Sequence, residues 1–317
     1  MYKDIAFSKT NINASRFVRN QIEKTYFPNV CFTQAKVKKY TFFTPYFGPL
    51  FRNLFFPWIL FFAFAKLYIC QKIRSMSKKV TPYTTSEQSK KEQVEQMFDT
   101  ISGEYDGLNR VISLGIDVKW RKKVVQLVAA TSPDSVLDIA TGTGDLIINM
   151  ATTSATRLVG LDISEGMLDV GRKKINAAQL NTRIEMMQAD SEAMPFEDNS
   201  FDAITVAFGV RNFETLEKGL GEIRRVLKPG GIFVILETSV PTKFPFKQGY
   251  KFYSRFILPA IGRMFSKDRD AYKYLSESAS VFPFGEALNN ILRKTGFKDV
   301  EDKPQTFGVA TIYTASK

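Results

Sequence analysis

The chain has 317 residues, with 44 Lys or Arg, 32 Asp or Glu, two Cys and no His. Residues 1–75 hold 12 of the basic residues and two of the acids, a net charge of +10, so the remaining residues carry only +2. The basic excess therefore belongs to the first quarter and does not indicate a nucleic-acid partner. Since Cys31 and Cys70 also lie there, residues 76–317 have no Cys/His metal site, His-based triad or cysteine nucleophile.

The first quarter is rich in Phe, Tyr, Ile, Asn and Lys but follows no helical or strand periodicity. Residues 54–70 are apolar enough for a short membrane span, although a proline and a lysine interrupt them. Three interpretations stay open: a membrane anchor, an organellar targeting segment, or an upstream extension of a chain with its ordinary start at Met76. We expect a basic, aromatic extension over residues 1–75 and a globular domain over residues 76–317.

The globular domain begins with helical patterns. Residues 86–102 repeat apolar side chains at helical spacing and predict a lid or packing helix. Residues 103–109 (GEYDGLN) are rich in turn-forming types and predict a turn. A second helix is expected around Val118–Ala129, with Trp120 as a core anchor.

Residues 135–162 are the stretch around which the domain is organised. They predict a buried strand, a turn at Gly142 and Gly144, a helix opening at Asp145 and a second strand that ends at Asp162. The glycines let the backbone approach a ligand closely, and the N–H groups of the following helix face it. Asp162 lies twenty residues beyond Gly142, where a carboxylate accepts both hydrogen bonds of a ribose diol. The pattern predicts a ligand with a ribose.

Two further features indicate which nucleoside binds. Ile147 stands where a dinucleotide fingerprint needs its third Gly, and the Gly-Lys-Ser/Thr of a P-loop is absent. Both features disfavour NAD and ATP, and with them a nicotinamide oxidoreductase. Asp138, just before the turn, suits a ligand with cationic groups, and S-adenosylmethionine carries an ammonium and a sulfonium.

The rest of the chain alternates strands and helices and contains no internal repeat. Ser164 is predicted as the N-cap of a helix that runs to about Asn176. The remaining predicted elements are strands at 182–187, 201–208 and 232–237, a helix at 214–227 ended by Pro-Gly-Gly, an aromatic insertion at 241–283, a helix at 285–294, and β segments at 298–301 and 306–315. This order predicts a doubly wound α/β domain with a mostly parallel seven-stranded sheet and an antiparallel finish.

Several motifs resemble known proteins. VLDIATGTGD, VGLD, DSEAMPFEDNSFD and RVLKPGG resemble the motifs of class I S-adenosylmethionine-dependent methyltransferases, a Rossmann-like fold. YDGLNRVISLGIDVKWR, FGVRNFE, RVLKPGGIFVILETS and YKYLSESASVFP resemble the menaquinone and ubiquinone biosynthesis C-methyltransferases, the UbiE/MenG family, over about residues 88–317. The resemblance implies C-methylation of a polyprenyl hydroquinone, first of all demethylmenaquinol. The alternatives are the ubiquinone-pathway 2-methoxy-6-polyprenyl-1,4-benzoquinol, a small-molecule O-methyltransferase and a non-catalytic cofactor-binding scaffold.

The resemblance also implies a cofactor site. The assigned contacts are Asp138 to the methionine ammonium, Gly142, Thr143 and Gly144 around the methionine end, Asp162 to the ribose, Asp190 to the adenine amine, and the Ser191 backbone N–H at the adenine ring.

The implied reaction is in-line transfer of a methyl group to an aromatic carbon. The sulfonium is already activated, so the reaction requires neither a metal nor a covalent nucleophile. The phenol has a pKa of about 10, which a fixed cation lowers. Arg211, after the fourth strand, is predicted to stabilise the phenolate, with Asn212 as a positioning partner and Tyr105 and Asp106 as further candidates.

The insertion at 241–283 implies a site for the isoprenoid tail and contact with a membrane surface. The aromatic and aliphatic residues expected around the tail are Phe244, Phe246, Tyr250, Phe252, Tyr253, Phe256, Ile257, Leu258 and Phe265. The cations expected at anionic headgroups are Lys243, Lys247, Lys251, Arg255 and Arg263. We expect a cytoplasmic protein, peripheral at the inner face of the membrane or anchored through residues 54–70. The sequence allows a homo-oligomer.

Overall fold

The computed structural model describes residues 80–258 and 268–317, which are built around one seven-stranded sheet. The strands are β1 (Ser135–Ile139), β2 (Arg157–Asp162), β3 (Ile184–Gln188), β4 (Phe201–Ala207), β5 (Leu227–Thr238), β6 (Lys298–Gln305) and β7 (Ala310–Ser316). Their order is β3-β2-β1-β4-β5-β7-β6, with β1 to β5 parallel and β7 antiparallel to both of its neighbours. The predicted fold class is confirmed.

Helices precede β1, follow β1, β2 and β4, and lie between β5 and β6. They are α1 (Lys90–Ile101), α2 (Tyr105–Ser113), α3 (Ile116–Ala129), α4 (Asp145–Met150), α5 (Glu165–Ala177), α6 (Leu216–Val226), α7 (Phe246–Phe252), α8 (Arg269–Val281) and α9 (Glu286–Lys294). Short helical turns follow β4 at Val210–Asn212 and β6 at Thr306–Gly308, and a π-helical turn, Tyr253–Ile257, continues α7. Ser164 caps α5 as predicted, with its hydroxyl accepting a hydrogen bond from the Met167 N–H.

The core lies on both faces of the sheet because β1 and β4 are buried on both sides. In β1, Val136 packs into one apolar cluster while Leu137 and Ile139 pack into the other. Trp120 belongs to the first cluster, which confirms it as a core anchor. The continuous apolar character of these strands is the pattern of strands covered on two faces.

The chain reverses its direction of winding between β1 and β4. From β1, the sheet continues to β2 and β3 on one side and to β4 and β5 on the other. The loops at the carboxyl ends of β1 and β4 therefore border a crevice, the usual ligand position in open α/β sheets.

One predicted element is wrong. Residues 103–109 were expected as a turn, but α2 begins at Tyr105. A glycine in a helix interior, such as Gly107, costs about 1 kcal/mol. Burial of Leu108 and a hydrogen bond from the Thr143 hydroxyl to Asp106 offset that cost, and neither contact is visible in local sequence.

The boundary at residues 229–231 also differs from the prediction. The Pro-Gly-Gly segment was expected to turn the chain into a strand, whereas it lies inside β5. The pairing with β4 shifts register there, from Phe201 opposite Leu227 to Ala203 opposite Ile232. The segment is therefore a bulge within the strand.

Several expectations fall outside the described residues. These are the extension over residues 1–75 and, within the insertion, Arg263 and Phe265. The division at residue 76 stays a prediction. Within residues 80–258 and 268–317, no helix is both long and apolar enough to cross a membrane.

Candidate active site

The loop after β1 leaves its backbone open to a ligand. Gly142 and Gly144 have φ values of +57° and +81°, and the Gly144 N–H donates to the Thr141 carbonyl to close the turn. A Cβ placed on Gly142 would meet no atom within 4 Å. The positive φ and the open space at this position are the two conditions that favour glycine beside a bound molecule.

The loops after β1 and β4 approach each other closely. Ala140 and Phe208, which begin these loops, both have left-handed backbones, with φ of +51° and +59°. A Cβ on Gly209 would lie 2.5 Å from the Ala140 Cβ, so glycine is required there. Strained backbone of this kind is concentrated at functional sites.

Asp162 lies at the end of β2, as predicted, and joins two loops. Its Oδ2 accepts a hydrogen bond from the Gly142 N–H at 2.7 Å, and its Oδ1 accepts one from the Ser164 N–H at 2.9 Å. Burial raises the pKa of the carboxyl to about 6, against the opposing effect of these hydrogen bonds. Each carboxylate oxygen keeps a further lone pair, so Asp162 can accept from a ribose diol.

Asp138 is buried behind the glycine turn. Its two carboxylate oxygens accept hydrogen bonds from the hydroxyls of Thr141 and Thr205, each at 2.6 Å. Burial raises its pKa to about 6 as well. The structure therefore assigns Asp138 a part in holding the turn, and its contact with the methionine ammonium stays a prediction.

Asp190 and Ser191 lie beyond β3 and line the same crevice as Gly142. The Asp190 Oδ1 accepts a hydrogen bond from the Glu192 N–H at 2.8 Å, and its Oδ2 lies 3.1 Å from the Lys91 Nζ. Lys91 belongs to α1, so this helix also borders the crevice. An adenine amine at Asp190 would share that carboxylate with Lys91.

Thr143 and Asp106 belong to a polar cluster on the outer side of the turn. The Thr143 hydroxyl donates to Asp106 Oδ1 at 2.6 Å, and the Lys174 Nζ bridges Asp106, Thr143 and Asp145. These contacts attach α2 to the first turn of α4. Neither Thr143 nor Asp106 is among the described residues that line the crevice.

The crevice encloses about 700 Å³, part of it open to solvent. Of the charged side chains that line it in the described chain, four are acids and one is a lysine: Asp162, Asp190, Glu192, Glu214 and Lys91. Apolar walls come from Leu161, Ile163, Met167 and Ala189. Acceptors for a ribose and an amine, apolar walls and an excess of carboxylates fit S-adenosylmethionine, a cationic nucleoside.

Tyr105 and Asn212 also line the crevice, together with Phe208. The Tyr274 hydroxyl donates to the Asn212 Oδ1 at 3.1 Å, which links α8 to the loop after β4. Burial raises the pKa of both tyrosines, although the Arg211 charge opposes it. Their hydroxyls are therefore neutral donors at physiological pH.

Arg211 lies behind this wall and not in it. Its Nη1 donates to the Phe208 carbonyl at 2.7 Å and to the Glu237 Oε1 at 2.5 Å. The exposed fractions of the Arg211 and Glu237 side chains are 7% and 1%. Burial alone would lower the pKa of Arg211, but the Glu237 carboxylate, together with Tyr105 and Tyr274, raises it overall, so the guanidinium stays charged. Its role in stabilising a phenolate stays a prediction.

The described part of the insertion is mostly helical, and many of its aromatic side chains are exposed. We define the aromatic patch as Phe244, Phe246, Phe252, Phe256 and Phe307. The Phe246 and Phe307 rings stack with centroids 3.8 Å apart. Tyr253 ties the segment to α2, since its hydroxyl donates to the Ile112 carbonyl at 2.6 Å.

Several of these residues were not predicted from the sequence. Lys91 and Phe98 line the crevice although α1 precedes the whole sheet, and only an amphipathic pattern marked them. Glu237 belonged to a motif that carried the family resemblance, yet it received no role. Phe307 was predicted inside the last β segment and received no role, whereas the structure places it in the helical turn between β6 and β7.

Comparisons with known proteins agree with this geometry. Residues 86–317 match the ubiE/COQ5 methyltransferase family. The chain is 46% identical to a demethylmenaquinone methyltransferase of Bacteroides fragilis over 241 residues, which is 76% of this chain and 98% of that protein. It is 44% identical to the ubiquinone/menaquinone biosynthesis C-methyltransferase UbiE of Geobacter sulfurreducens, covering 76% and 93%.

Two further matches extend over most of the length of the matched protein. The demethylmenaquinone methyltransferase of Geobacillus stearothermophilus is 43% identical over 73% of this chain and 99% of its own. Among solved structures, the (4+2) cyclase SpnF superposes with a TM-score of 0.50 at 19% identity, covering 72% of this chain and 96% of that one, a likeness of fold alone. The chain therefore belongs to the ubiE/COQ5 methyltransferase family and catalyses S-adenosylmethionine-dependent C-methylation in quinone biosynthesis.

Proposed function

We propose that the protein methylates the ring carbon of demethylmenaquinol to give menaquinol. The observation that carries the proposal is the 46% identity to a protein named demethylmenaquinone methyltransferase, over 98% of that protein's length. The geometry supports it, since the crevice is lined both by the nucleoside acceptor Asp162 and by the aromatic side chains of Tyr105 and Phe208. A quinol ring against those aromatic side chains would lie within reach of a methyl donor held by Asp162.

The residues around Asp162 bind and orient the cofactor. Asp162 accepts hydrogen bonds from the ribose hydroxyls, Gly142 lets the backbone approach, and Asp190 accepts one from the adenine amine. S-adenosylmethionine supplies a methyl group on a sulfonium that needs no further activation. The protein's contribution is therefore to hold donor and acceptor in line and to exclude water, and such orientation can remove about 7–11 kcal/mol from an activation barrier.

The residues around Tyr105 polarise the quinol. Tyr105 and Asn212 present hydrogen-bonding groups to a ring hydroxyl, and Phe208 offers a flat face. Arg211 lies directly behind them, and its charge acts through a buried, low-dielectric region. A fixed cation there lowers the pKa of the phenol and raises the nucleophilicity of the ring carbon.

The aromatic patch supports the proposal that this side of the protein docks on the cytoplasmic face of a membrane. Phe244 and Phe307 have exposed fractions of 80% and 68%, and Phe307 keeps a left-handed backbone with φ of +59°. Residues 241–258 contain four Lys or Arg and no acid. Exposed rings flanked by cations are the composition that binds anionic lipid surfaces, where a polyprenyl quinol resides.

The test is turnover by the full-length protein with S-adenosylmethionine labelled by deuterium in the methyl group. Demethylmenaquinol, 2-methoxy-6-polyprenyl-1,4-benzoquinol and a catechol are supplied separately in detergent, under reducing conditions. We expect mass spectrometry to show one labelled methyl on the naphthoquinol, at a rate that exceeds those of the other two.

The benzoquinol is the second candidate because the Geobacter relative is named for both pathways. A faster benzoquinol reaction would assign that pathway to the chain. Methylation of catechol alone would overturn the quinone proposal, and so would silence with all three substrates in a protein that still binds the cofactor.

A further inference from the structure

Among the residues that the structure describes, the pair of Arg211 and Glu237 leaves two polar atoms without a partner. Glu237 uses only Oε1, which accepts hydrogen bonds from Arg211, from the Thr238 N–H at 2.7 Å and from the Thr238 hydroxyl at 3.1 Å. Within residues 80–258 and 268–317, Glu237 Oε2 and Arg211 Nε are buried and have no hydrogen-bond partner. Buried polar atoms are nearly always hydrogen-bonded because leaving one unsatisfied is costly, so the pair calls for an explanation.

The two atoms are chemically complementary to one kind of partner. Oε2 is an acceptor and Nε–H is a donor, so a group that both donates and accepts would satisfy them together. A water molecule and a phenolic hydroxyl have this property. When the hydroxyl loses its proton, the carboxylate can take the proton and the guanidinium can stabilise the oxygen.

Three buried tyrosines and two buried aspartates nearby are less suited to the same task. Burial raises the pKa of Tyr105, Tyr250 and Tyr274, so these hydroxyls are donors and not bases near neutral pH. Asp138 and Asp162 already accept hydrogen bonds on both oxygens. Glu237 differs from both aspartates because one of its oxygens accepts no hydrogen bond from the described part of the chain.

We propose that Glu237 is the proton acceptor for the quinol hydroxyl, through one water held between Glu237 Oε2 and Arg211 Nε. This inference rests on the proposed function. The quinol O–H bond breaks, the proton passes through the water to Oε2, and a new O–H bond forms on Glu237. After the ring carbon has been methylated and has lost its own proton to solvent, Glu237 returns its proton to the product oxygen. The net change is one proton released in each turnover.

Glu237→Gln tests the proposal because it keeps the shape and removes the basic oxygen. Under saturating cofactor and demethylmenaquinol, we expect kcat at pH 7.5 to fall by about 10²–10⁴-fold, the usual contribution of a general base. The dissociation constant for S-adenosylhomocysteine should stay within about threefold of the wild-type value. Glu185→Gln, an exposed carboxylate on β3, is the control and should leave both quantities unchanged.

Two readouts separate this role from a merely structural one. The kcat of Glu237→Gln should rise about tenfold per pH unit towards the phenol pKa of about 10, because only the ionised substrate reacts. The wild-type profile should stay flat above neutral pH if the base acts as proposed. Ring-fluorinated quinols, which are more acidic, should recover much of the lost rate in the variant and change the wild type little.

The outcomes distinguish the two proposals. If the wild type methylates demethylmenaquinol and Glu237→Gln keeps kcat within threefold, or keeps the wild-type pH profile, the role of Glu237 is refuted while the function stands. If the wild type forms no product, the function itself fails. If circular dichroism shows that Glu237→Gln does not fold, Glu237→Asp carries the test. A reduced kcat with a flat pH profile supports the role of Glu237, and an unchanged kcat or a kcat that rises with pH overturns it.

Discussion

Replacement of Gly142 by alanine separates backbone strain from ligand exclusion, because the chain contains a matched control. Gly142 and Gly230 have φ of +57° and +76°, and at both positions an added Cβ would meet no atom within 4 Å. Each substitution should therefore cost about 1–2 kcal/mol of folding free energy from the left-handed backbone alone. Gly142 lines the crevice, whereas Gly230 lies in the bulge of β5.

The two variants should differ in cofactor affinity. A methyl group forced into a filled site costs about 1–3 kcal/mol, so Gly142→Ala should weaken binding of S-adenosylhomocysteine by about 10- to 100-fold. Gly230→Ala should bind within threefold of the wild type. Isothermal titration calorimetry measures the affinities, and thermal unfolding measures the shared loss of stability. Equal affinities in the two variants would refute the assignment of the crevice to the cofactor.

Three further predictions concern single side chains. Asp162→Asn should weaken S-adenosylhomocysteine binding by about 10- to 100-fold, and Asp169→Asn, at an exposed carboxylate, is the control. Because the pKa of Asp162 is about 6, the affinity of the wild type should be full well above pH 6 and should fall by up to about tenfold per pH unit below it. Calorimetry across this pH range measures both effects. Asp138→Asn should raise the free energy of unfolding at pH 7.5, measured in urea, by on the order of 1–3 kcal/mol. The reason is that burial raises the pKa of this carboxyl from 3.8 to about 6, so the wild-type protein loses stability as the pH rises from 4 to 6. A variant less stable than the wild type would contradict this. Phe307→Ser should reduce binding to anionic vesicles about tenfold in a sedimentation assay, whereas Val281→Ser, at a similarly exposed residue on α8, should leave it unchanged. Equal losses in the two variants would exclude the aromatic patch as the docking surface.

The sequence predicted the sheet well because its signals are local. A buried strand, a glycine turn and a terminal acid lie within residues 135–162, and the strand order follows from how such units connect. The lengths of the apolar runs separated strands from helices elsewhere. The helix α2 was missed because its stability depends on Leu108 and on Asp106 contacting Thr143, which lies 37 residues away.

The cofactor end of the site was more predictable than the substrate end. Asp162 and Gly142 act through their position at strand ends, which a periodic pattern reveals. Arg211 was expected to face the substrate, but its burial depends on Glu237 in the neighbouring strand, a pairing set by the sheet register. Phe307 meets the insertion only through the fold, so no pattern within either segment could predict their stacking.

Identifying the atom that receives the methyl group tests the proposed C-methylation most directly. Full-length protein, S-adenosylmethionine carrying a ¹³C-methyl group and demethylmenaquinol would be incubated under reducing conditions, and the product measured by ¹³C NMR. We expect one enriched resonance in the region of a methyl group on an aromatic carbon. A resonance in the methoxy region would show O-methylation and would contradict transfer of the methyl group to a ring carbon.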